Sequence, residues 1–280
     1  MNTNGNIYTV VYTTVVVVLV AAILSFVSEV LKPKQDANVK AEAISQMLTA
    51  AGFFEKDELE ALGNDKVLEE YKSVISDAIL IDGEGKKVGE LDKSKSEIYT
   101  TSDLKAQSKL IANGELSEMK LPVFIFDKDG EKVSVIPCYG AGLWGPIWGY
   151  LAFGPDLKTI RGAYFDHASE TPGLGAKIKD DPSFRKEFQG KKVNFTDVDK
   201  SGEPAVFAVV KGGVPEGQEN AVDAISGATI TSQSLGRAIN AWVEAYKPYM
   251  TAAAADIPVA DTTAIHADST NVAPAGALAN

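Results

Sequence analysis

The chain has 280 residues, 45% hydrophobic and 23% charged, which is enough for a folded domain with a sizeable core. Its formal net charge of −11 argues against nucleic-acid binding, because neutralising phosphates needs an excess of Lys and Arg. One cysteine, Cys138, and two histidines, His167 and His266, exclude an internal disulfide, a thiolate cluster and a multi-histidine metal site within this chain. We therefore predict no metal site, and any redox chemistry would need an organic cofactor.

The N-terminal segment predicts one membrane-spanning helix, within an anchor over 1–34. No charged side chain occurs from Ile7 to Ser28, and about 22 helical residues reach roughly 33 Å, enough for a hydrocarbon core of about 30 Å. The segment is rich in Val, but a lone segment in lipid must satisfy its own backbone, which favours a helix. A cleaved signal peptide and a buried core helix are the alternatives. The absence of Lys and Arg before Lys32 disfavours the signal peptide.

Charge does not decide the topology of this anchor. Lys32, Lys34 and Lys40 follow the span, so the positive-inside rule would hold the next domain in the cytoplasm. The bias rests on a few lysines, and long domains can translocate whatever their charge. Topology therefore depends on what the rest of the chain does.

The residues after Pro33 predict an α+β domain over 35–248. Apolar residues at helical spacing indicate a helix over 38–62, with Gly52 as a stop signal, and the string at 181–184 is typical of the start of a short helix. Strand-like runs separated by turn residues, including a turn at 201–204, indicate antiparallel hairpins. These runs cover 78–82, 123–127, 133–138, 149–153, 159–165 and 205–210.

The last predicted helix is amphipathic and runs from about Thr229 to Tyr246. Five residues form its apolar face: Leu235, Ile239, Trp242, Val243 and Tyr246. We expect Lys247-Pro248 to end the helix. The Ala-rich residues that follow have no periodicity, so 249–280 is expected to be a disordered tail.

The segment before this helix carries the most specific chemical pattern. No G-x-G-x-x-G follows a predicted strand and no G-x-x-x-x-G-K-[ST] occurs, so no NADH site is expected in this chain. Asp223, Ser226, Gly227 and Ala228 instead lead into Thr229 at a helix N-terminus, where free N–H groups and the helix dipole favour a phosphate. From these residues alone, ordinary helix capping and a turn are the stronger alternative.

Four segments carry a resemblance to a known family. D-A-I-S-G-A-T at 223–229 resembles the flavinylation motif of FMN-binding domains, whose final threonine carries FMN through a phosphoester. E-T-P-G-L-G at 170–175 resembles a second motif of that family, and the glycine-containing segments 140–145 and 210–213 occur in the expected order. Together with the N-terminal helix, they make residues 5 to about 248 resemble the C subunits of sodium-translocating NADH:quinone reductases. The chain departs from that pattern at 146–148 and in the tail.

The resemblance implies covalent FMN on Thr229, attached by a separate flavin transferase that uses FAD and a divalent metal. Thr229 would then be an acceptor, and we assign no catalytic residue. No histidine lies near it in sequence, and an aliphatic hydroxyl without a neighbouring base is a poor nucleophile. Asp223 could help the transferase recognise the site, or could polarise the helix start.

The resemblance also implies that Trp144, Glu170, Thr171, Leu174 and Lys211 surround the isoalloxazine ring. Taken singly, Trp144 and Leu174 could be ordinary core residues, and Lys211 a solvated strand end. A cation near the flavin would stabilise its reduced, anionic form, and apolar neighbours would limit access of water.

The implied role is an electron relay from NADH to quinone among the other subunits of a membrane complex that exports sodium. The predicted span has no interior ionisable residue, so ion movement is expected in those partners. Flavinylation in this family takes place outside the cytoplasm, which implies a single-pass protein of the bacterial inner membrane with a periplasmic domain. Two alternatives stay open: a flavoprotein like the G subunits of Rnf electron-transport complexes, and a non-enzymatic, membrane-anchored binding or assembly module.

Overall fold

The computed structural model describes residues 5–197 and 205–255. The predicted turn at 201–204 and the residues 256–280 of the predicted tail lie outside that part of the chain. The helices are α1 Asn6–Ala51, α2 Lys56–Leu62, α3 Asn64–Val74, α4 Thr101–Asn113, α5 Lys177–Asp180, α6 Pro182–Lys186 and α7 Thr229–Ala255. The strands are β1 Ile75–Ile81, β2 Lys87–Glu90, β3 Leu121–Lys128, β4 Glu131–Ala141, β5 Pro146–Phe153, β6 Ile160–His167, β7 Ala208–Val210 and β8 Ala221–Asp223.

Helix α1 runs without interruption from the predicted membrane span into the folded domain. Its most apolar stretch is wholly exposed, and among the described residues it is the one helix long and apolar enough to cross a membrane. Pro33 lies inside the helix and removes one backbone hydrogen bond without ending it. The helix ends at Gly52, whose φ of 76° is easy for glycine, so the helix predicted over 38–62 is divided there.

The domain is built on one six-stranded sheet in the order β2-β1-β3-β4-β5-β6, with every neighbouring pair antiparallel. Successive residues of a strand face opposite sides of a sheet. In β3, Leu121 and Val123 therefore enter the core on one side, and Phe124 and Phe126 enter the core on the other. The α+β class with antiparallel strands is confirmed.

Each face of the sheet is covered by one long helix. The last turns of α1 bury Ile44, Met47 and Leu48 completely on one side. On the other side α7 buries the five apolar residues that the sequence predicted for its apolar face. Two of them also bond to the sheet backbone, since Trp242 Nε1 donates to the carbonyl of Tyr139 at 2.9 Å and Tyr246 Oη donates to that of Pro122 at 2.7 Å.

The predicted stop of α7 at Lys247-Pro248 is wrong. The helix includes Pro248 and continues to Ala255, so the predicted disordered tail does not begin at 249. Proline costs one helical hydrogen bond, but Met250 beyond it is 2% exposed in the core. The backbone of Tyr249 also packs closely against Gly85, since a Cβ added to Gly85 would lie 2.5 Å from the Tyr249 nitrogen. Tertiary burial thus overrides the local signal.

Candidate functional site

The segment that contains the flavinylation-like motif joins a small parallel sheet to the N-terminus of α7. Strands β7 and β8 pair in parallel, and the predicted strand over 205–210 is shortened to the three residues of β7. After β8, Ala224 N donates to the carbonyl of Val210 at 2.7 Å, and Ala228 N donates to that of Ile225 at 3.0 Å. These bonds shape residues 224–228 into a turn that ends directly at Thr229.

The first turn of α7 offers backbone N–H groups to an anion. Ser232 N donates to the carbonyl of Ala228 at 2.9 Å, and this is the first bond of the helical pattern. The N–H groups of Thr229, Ile230 and Thr231 precede it, and such groups lack a partner within their own helix. Thr229 itself is half-buried and begins the helix. The hydroxyl therefore stands at a helix N-terminus that suits a phosphate.

Gly227 meets two requirements of this turn. Its φ of 80° lies in the left-handed region, where a side chain is strained. A Cβ at this position would also lie 2.9 Å from Leu174 Cδ2. The close approach brings the E-T-P-G-L-G segment against the turn before Thr229, so two of the motifs that carry the resemblance are in contact.

Glu170 joins three segments of the site. It is 8% exposed, and its Oε1 accepts hydrogen bonds from Leu143 N at 2.7 Å and Trp144 N at 3.2 Å. Its Oε2 accepts a hydrogen bond from Thr231 Oγ1 at 2.9 Å. The carboxylate thus ties the β4–β5 turn (142–145) and the β6–α5 loop (168–176) to the start of α7.

Two glycines make room for that carboxylate. A Cβ on Gly142 would lie 2.4 Å from Glu170 Oε1, and a Cβ on Gly175 would lie 2.3 Å from Oε2. Both distances are far below any real contact between carbon and oxygen. The glycines at 142 and 175 are therefore explained by the position of the Glu170 side chain.

Apolar side chains lie exposed on the segments that Glu170 and Gly227 bring together. Trp144 is 67% exposed and Leu174 is 42% exposed, so neither is a core residue. Beyond Val39, six large apolar side chains of the described residues are exposed, and four of them belong to these segments: Leu143, Trp144, Leu174 and Ile230. Exposed apolar side chains on adjoining segments mark binding surfaces. These four residues, called the apolar cluster below, lie on segments that are joined to the start of α7.

The remaining predicted site residues shape the surrounding backbone. The carbonyl of Thr171, an exposed residue, accepts from Leu174 N and Ala176 N, both at 3.1 Å. Asp223 Oδ1 accepts from Val214 N at 2.7 Å and so secures the loop that follows Lys211. Lys211 is exposed beside β7.

Two site residues escaped sequence reasoning. Thr231 was missed because its bond to Glu170 joins residues far apart in sequence. Ile230 was missed because helical spacing alone did not separate it from an ordinary surface residue.

The chain departs from the family pattern at 146–148, and the first of these residues, Pro146, begins β5. The Pro146 carbonyl accepts a hydrogen bond from Ala168 N at 2.9 Å. The same departure therefore helps to hold the β6–α5 loop.

The one cysteine takes no part in this site. Cys138 is fully buried, and burial raises the pKa of its thiol to about 12. A thiol with such a pKa is protonated at neutral pH and unreactive.

Known proteins match the chain over these same features. The FMN-binding domain family matches residues 142–244, which include the β4–β5 turn, the β6–α5 loop and Thr229. The fold and site therefore match those of an FMN-binding domain, which here follows an N-terminal helix long and apolar enough to span a membrane.

Relatives across most of the chain carry one name. The C subunit of the Na(+)-translocating NADH-quinone reductase of Vibrio parahaemolyticus is 32% identical over 224 residues, covering 76% of this chain and 81% of that protein. The protein of the same name from Vibrio anguillarum is 28% identical over 243 residues, covering 86% and 91%. The crystal structure of the same protein from Parabacteroides distasonis has a TM-score of 0.61 at 32% identity and covers 79% of this chain and 97% of that one. The chain belongs to the family of Na(+)-translocating NADH-quinone reductase C subunits, which confirms the resemblance inferred from the motifs.

Proposed function

We propose that this chain is the electron-transfer subunit of a membrane-bound NADH:quinone reductase coupled to sodium export, and that it carries FMN bonded to Thr229. The observation that carries the proposal is the Thr229 hydroxyl at an open helix N-terminus, beside the exposed apolar cluster. When bound, FMN supplies the capacity to accept and release electrons. The residues present fit that group, since the helix N-terminus suits its phosphate and the apolar side chains suit its ring.

Attachment to Thr229 would be the work of a separate flavin transferase. The Thr229 oxygen would attack the FMN phosphorus of FAD, its proton would pass to a base of the transferase, and AMP would leave. Among the described residues, the Glu170 carboxylate at this helix start bonds to Thr231, and no base is seen bonded to the Thr229 hydroxyl. Thr229 would therefore be a passive acceptor, and the transferase would supply the base and the divalent metal.

Each neighbouring group has a distinct task in this proposal. Trp144, Leu174 and Ile230 shield the isoalloxazine ring from water, and Lys211 offers positive charge that stabilises reduced, anionic flavin. Glu170 and Thr171 hold the β6–α5 loop, and Asp223 holds the loop after Lys211. Binding and orientation are thus the work of this chain, and NADH and quinone bind to other subunits.

The apolar part of α1 anchors the chain in the membrane as a single pass. We further propose that the anchor covers 1–34, and that the FMN-binding domain, predicted over 35–248, continues with α7 past Met250. We propose that this domain lies on the periplasmic side of a bacterial inner membrane. Protease added to spheroplasts would then cut the domain, whereas protease added to inverted vesicles would not. The opposite pattern would overturn the periplasmic placement.

Covalent flavin can be tested directly on the chain purified from its native host. We expect the protein band to fluoresce on a denaturing gel under ultraviolet light, with an intact mass raised by one FMN phosphoester. Thr229→Ala should abolish both signals. Thr251→Ala is the control, because Thr251 is an exposed threonine of the same helix whose hydroxyl bonds to its own backbone. A dark wild-type band of unmodified mass would instead favour a non-enzymatic anchored module.

A further inference from the structure

A buried carboxylate connects the anchor helix to the strand that leads into the flavin site. Asp166 in β6 has a side chain only 2% exposed. Its Oδ2 accepts hydrogen bonds from Gln46 Nε2 of α1 and from Lys179 Nζ of α5, both at 2.8 Å. Its Oδ1 accepts from His167 N at 2.7 Å. Three elements of the fold therefore meet at one carboxylate.

The two charged partners stand at the two ends of the β6–α5 loop. Asp166 lies just before the loop and Lys179 just after it, so their ion pair closes the loop at its base. Within the loop lie Glu170, which bonds to the β4–β5 turn and to α7, and Leu174, which packs near Gly227. Whatever fixes the base of this loop therefore also fixes the residues that contact Thr231 and Gly227.

The anchor helix holds both ends of this loop. Gln46 bonds to Asp166, and Glu42, one turn earlier in α1, lies 3.6 Å from Lys179 Nζ. Arg185 adds support from α6, since its guanidinium donates to the carbonyl of Lys179 and lies 4.8 Å from the ring centre of Tyr164. Because α1 is continuous with the membrane span, the base of the loop is bonded to the anchor itself.

Stabilising the contact between α1 and the sheet would not require this network of charged and polar side chains. The apolar residues of α1 already bury that helix against the sheet, and a buried ion pair seldom adds net stability over an apolar replacement. Buried polar groups do favour one arrangement over others, because a shifted loop would leave charges unpaired. We therefore attribute to this polar network the role of setting the position of the β6–α5 loop.

We propose that Asp166 and Lys179 are positioning residues for the flavin site: their ion pair, bonded to α1 through Gln46 and Glu42, holds the β6–α5 loop at a fixed distance from the N-terminus of α7. The effect on flavin rests on the proposed attachment at Thr229, and the effect on the loop does not.

Hydrogen exchange of the full-length chain in its purified complex tests the loop. In Asp166→Asn and in Lys179→Met, the amides of Ala168, Leu174 and Ala176 should exchange at least about ten times faster than in the wild type. The paired strands β3 and β4 should stay protected. Lys192→Met is the matched control, because Lys192 forms an exposed ion pair with Glu219 at 2.9 Å away from the loop. Unchanged exchange in the loop, or faster exchange throughout the domain, overturns the proposal.

A redox titration of the same complexes tests the link to flavin. A loosened loop admits water, and water stabilises reduced, anionic flavin, so the midpoint potential should rise in both variants and stay unchanged in Lys192→Met. Lys179→Arg, which keeps the charge, should have the same midpoint potential as the wild type. A wild-type potential in Asp166→Asn and Lys179→Met overturns the link. Gel fluorescence scores attachment separately, and the exchange test repeated in Thr229→Ala still decides the loop if no flavin is attached.

Discussion

Glu170 Oε2 accepts a hydrogen bond from Thr231 Oγ1 at 2.9 Å, although the two residues lie 61 positions apart. Because Thr231 is in the first turn of α7, this bond sets the loop against the helix that begins at Thr229. The opposite oxygen of the same carboxylate holds the backbone of Trp144. One side chain therefore fixes the relation between the apolar cluster and the helix N-terminus.

Glu170→Gln should destabilise the domain, because a neutral amide replaces the charged acceptor of the hydrogen bonds from Leu143 N, Trp144 N and Thr231 Oγ1. Hydrogen bonds to a charged group contribute roughly 1.5–3 kcal/mol each, and we expect the free energy of unfolding to fall by about 2 kcal/mol. Chemical denaturation of the full-length chain in detergent measures this. Glu219→Gln, at an exposed ion pair, should change the free energy by less than about 1 kcal/mol. Equal losses in the two variants would refute the role of Glu170.

The sequence was sufficient for the strands with strong apolar runs, for the apolar N-terminal helix and for the apolar face of α7, because each depends on a local pattern. The sequence was insufficient where the local structure depends on contacts between residues far apart in the chain. Helix α7 continues past Pro248 because Met250 is buried in the core. The bond between Glu170 and Thr231 can be predicted only when the position of α7 on the sheet is known. The glycines at 142 and 175 have no local signal that they leave room for a carboxylate.

Lys211→Ala should lower the midpoint potential of the flavin, because it removes a cation expected to stabilise the reduced, anionic form. Lys211 is exposed, so we expect an effect of about 0.5–1 kcal/mol, or roughly 10–20 mV for a two-electron couple. A redox titration of the purified complex measures the shift. Lys192→Ala removes another exposed cation, one that is paired with Glu219, and should leave the potential unchanged. An unshifted potential in Lys211→Ala would exclude its proposed electrostatic role.

The ion pair between Lys179 and Asp166 should make stability depend on pH in the alkaline range. Burial lowers the pKa of Lys179, but its hydrogen bond to Asp166 and the charges of Asp166 and Glu42 outweigh burial, so the net shift is upward. A folded-state pKa above the unfolded one means that the stabilisation is complete below the unfolded pKa and is lost as pH rises through the folded pKa. The difference in Tm between the wild type and Lys179→Met should thus be constant up to about pH 9 and shrink above about pH 10. A difference that stays constant far above about pH 10 would contradict the assignment.

Gly227→Ala should reduce the fraction of chains that carry flavin while leaving the domain folded. The alanine would have to adopt a φ of 80°, at a cost of about 1–2 kcal/mol. Its Cβ would also lie 2.9 Å from Leu174 Cδ2, which is too close for two carbon atoms. The Leu174 side chain would have to turn away and the strained turn before Thr229 would shift, so the hydroxyl would no longer stand in the position that the transferase meets. Gel fluorescence per mole of protein, with intact mass, measures the occupancy.

Gly130→Ala is the matched control for backbone strain. Gly130 has a φ of 86° in the turn between β3 and β4, and a Cβ there would meet open space. Its alanine variant thus bears a similar backbone cost without touching the flavin site. If strain alone lowered occupancy, through a smaller folded population, both variants would lose fluorescence to the same extent. A loss confined to Gly227→Ala would show that the shape of the turn before Thr229, including its contact with Leu174, orders the attachment site, because Gly130 lies in the turn between β3 and β4.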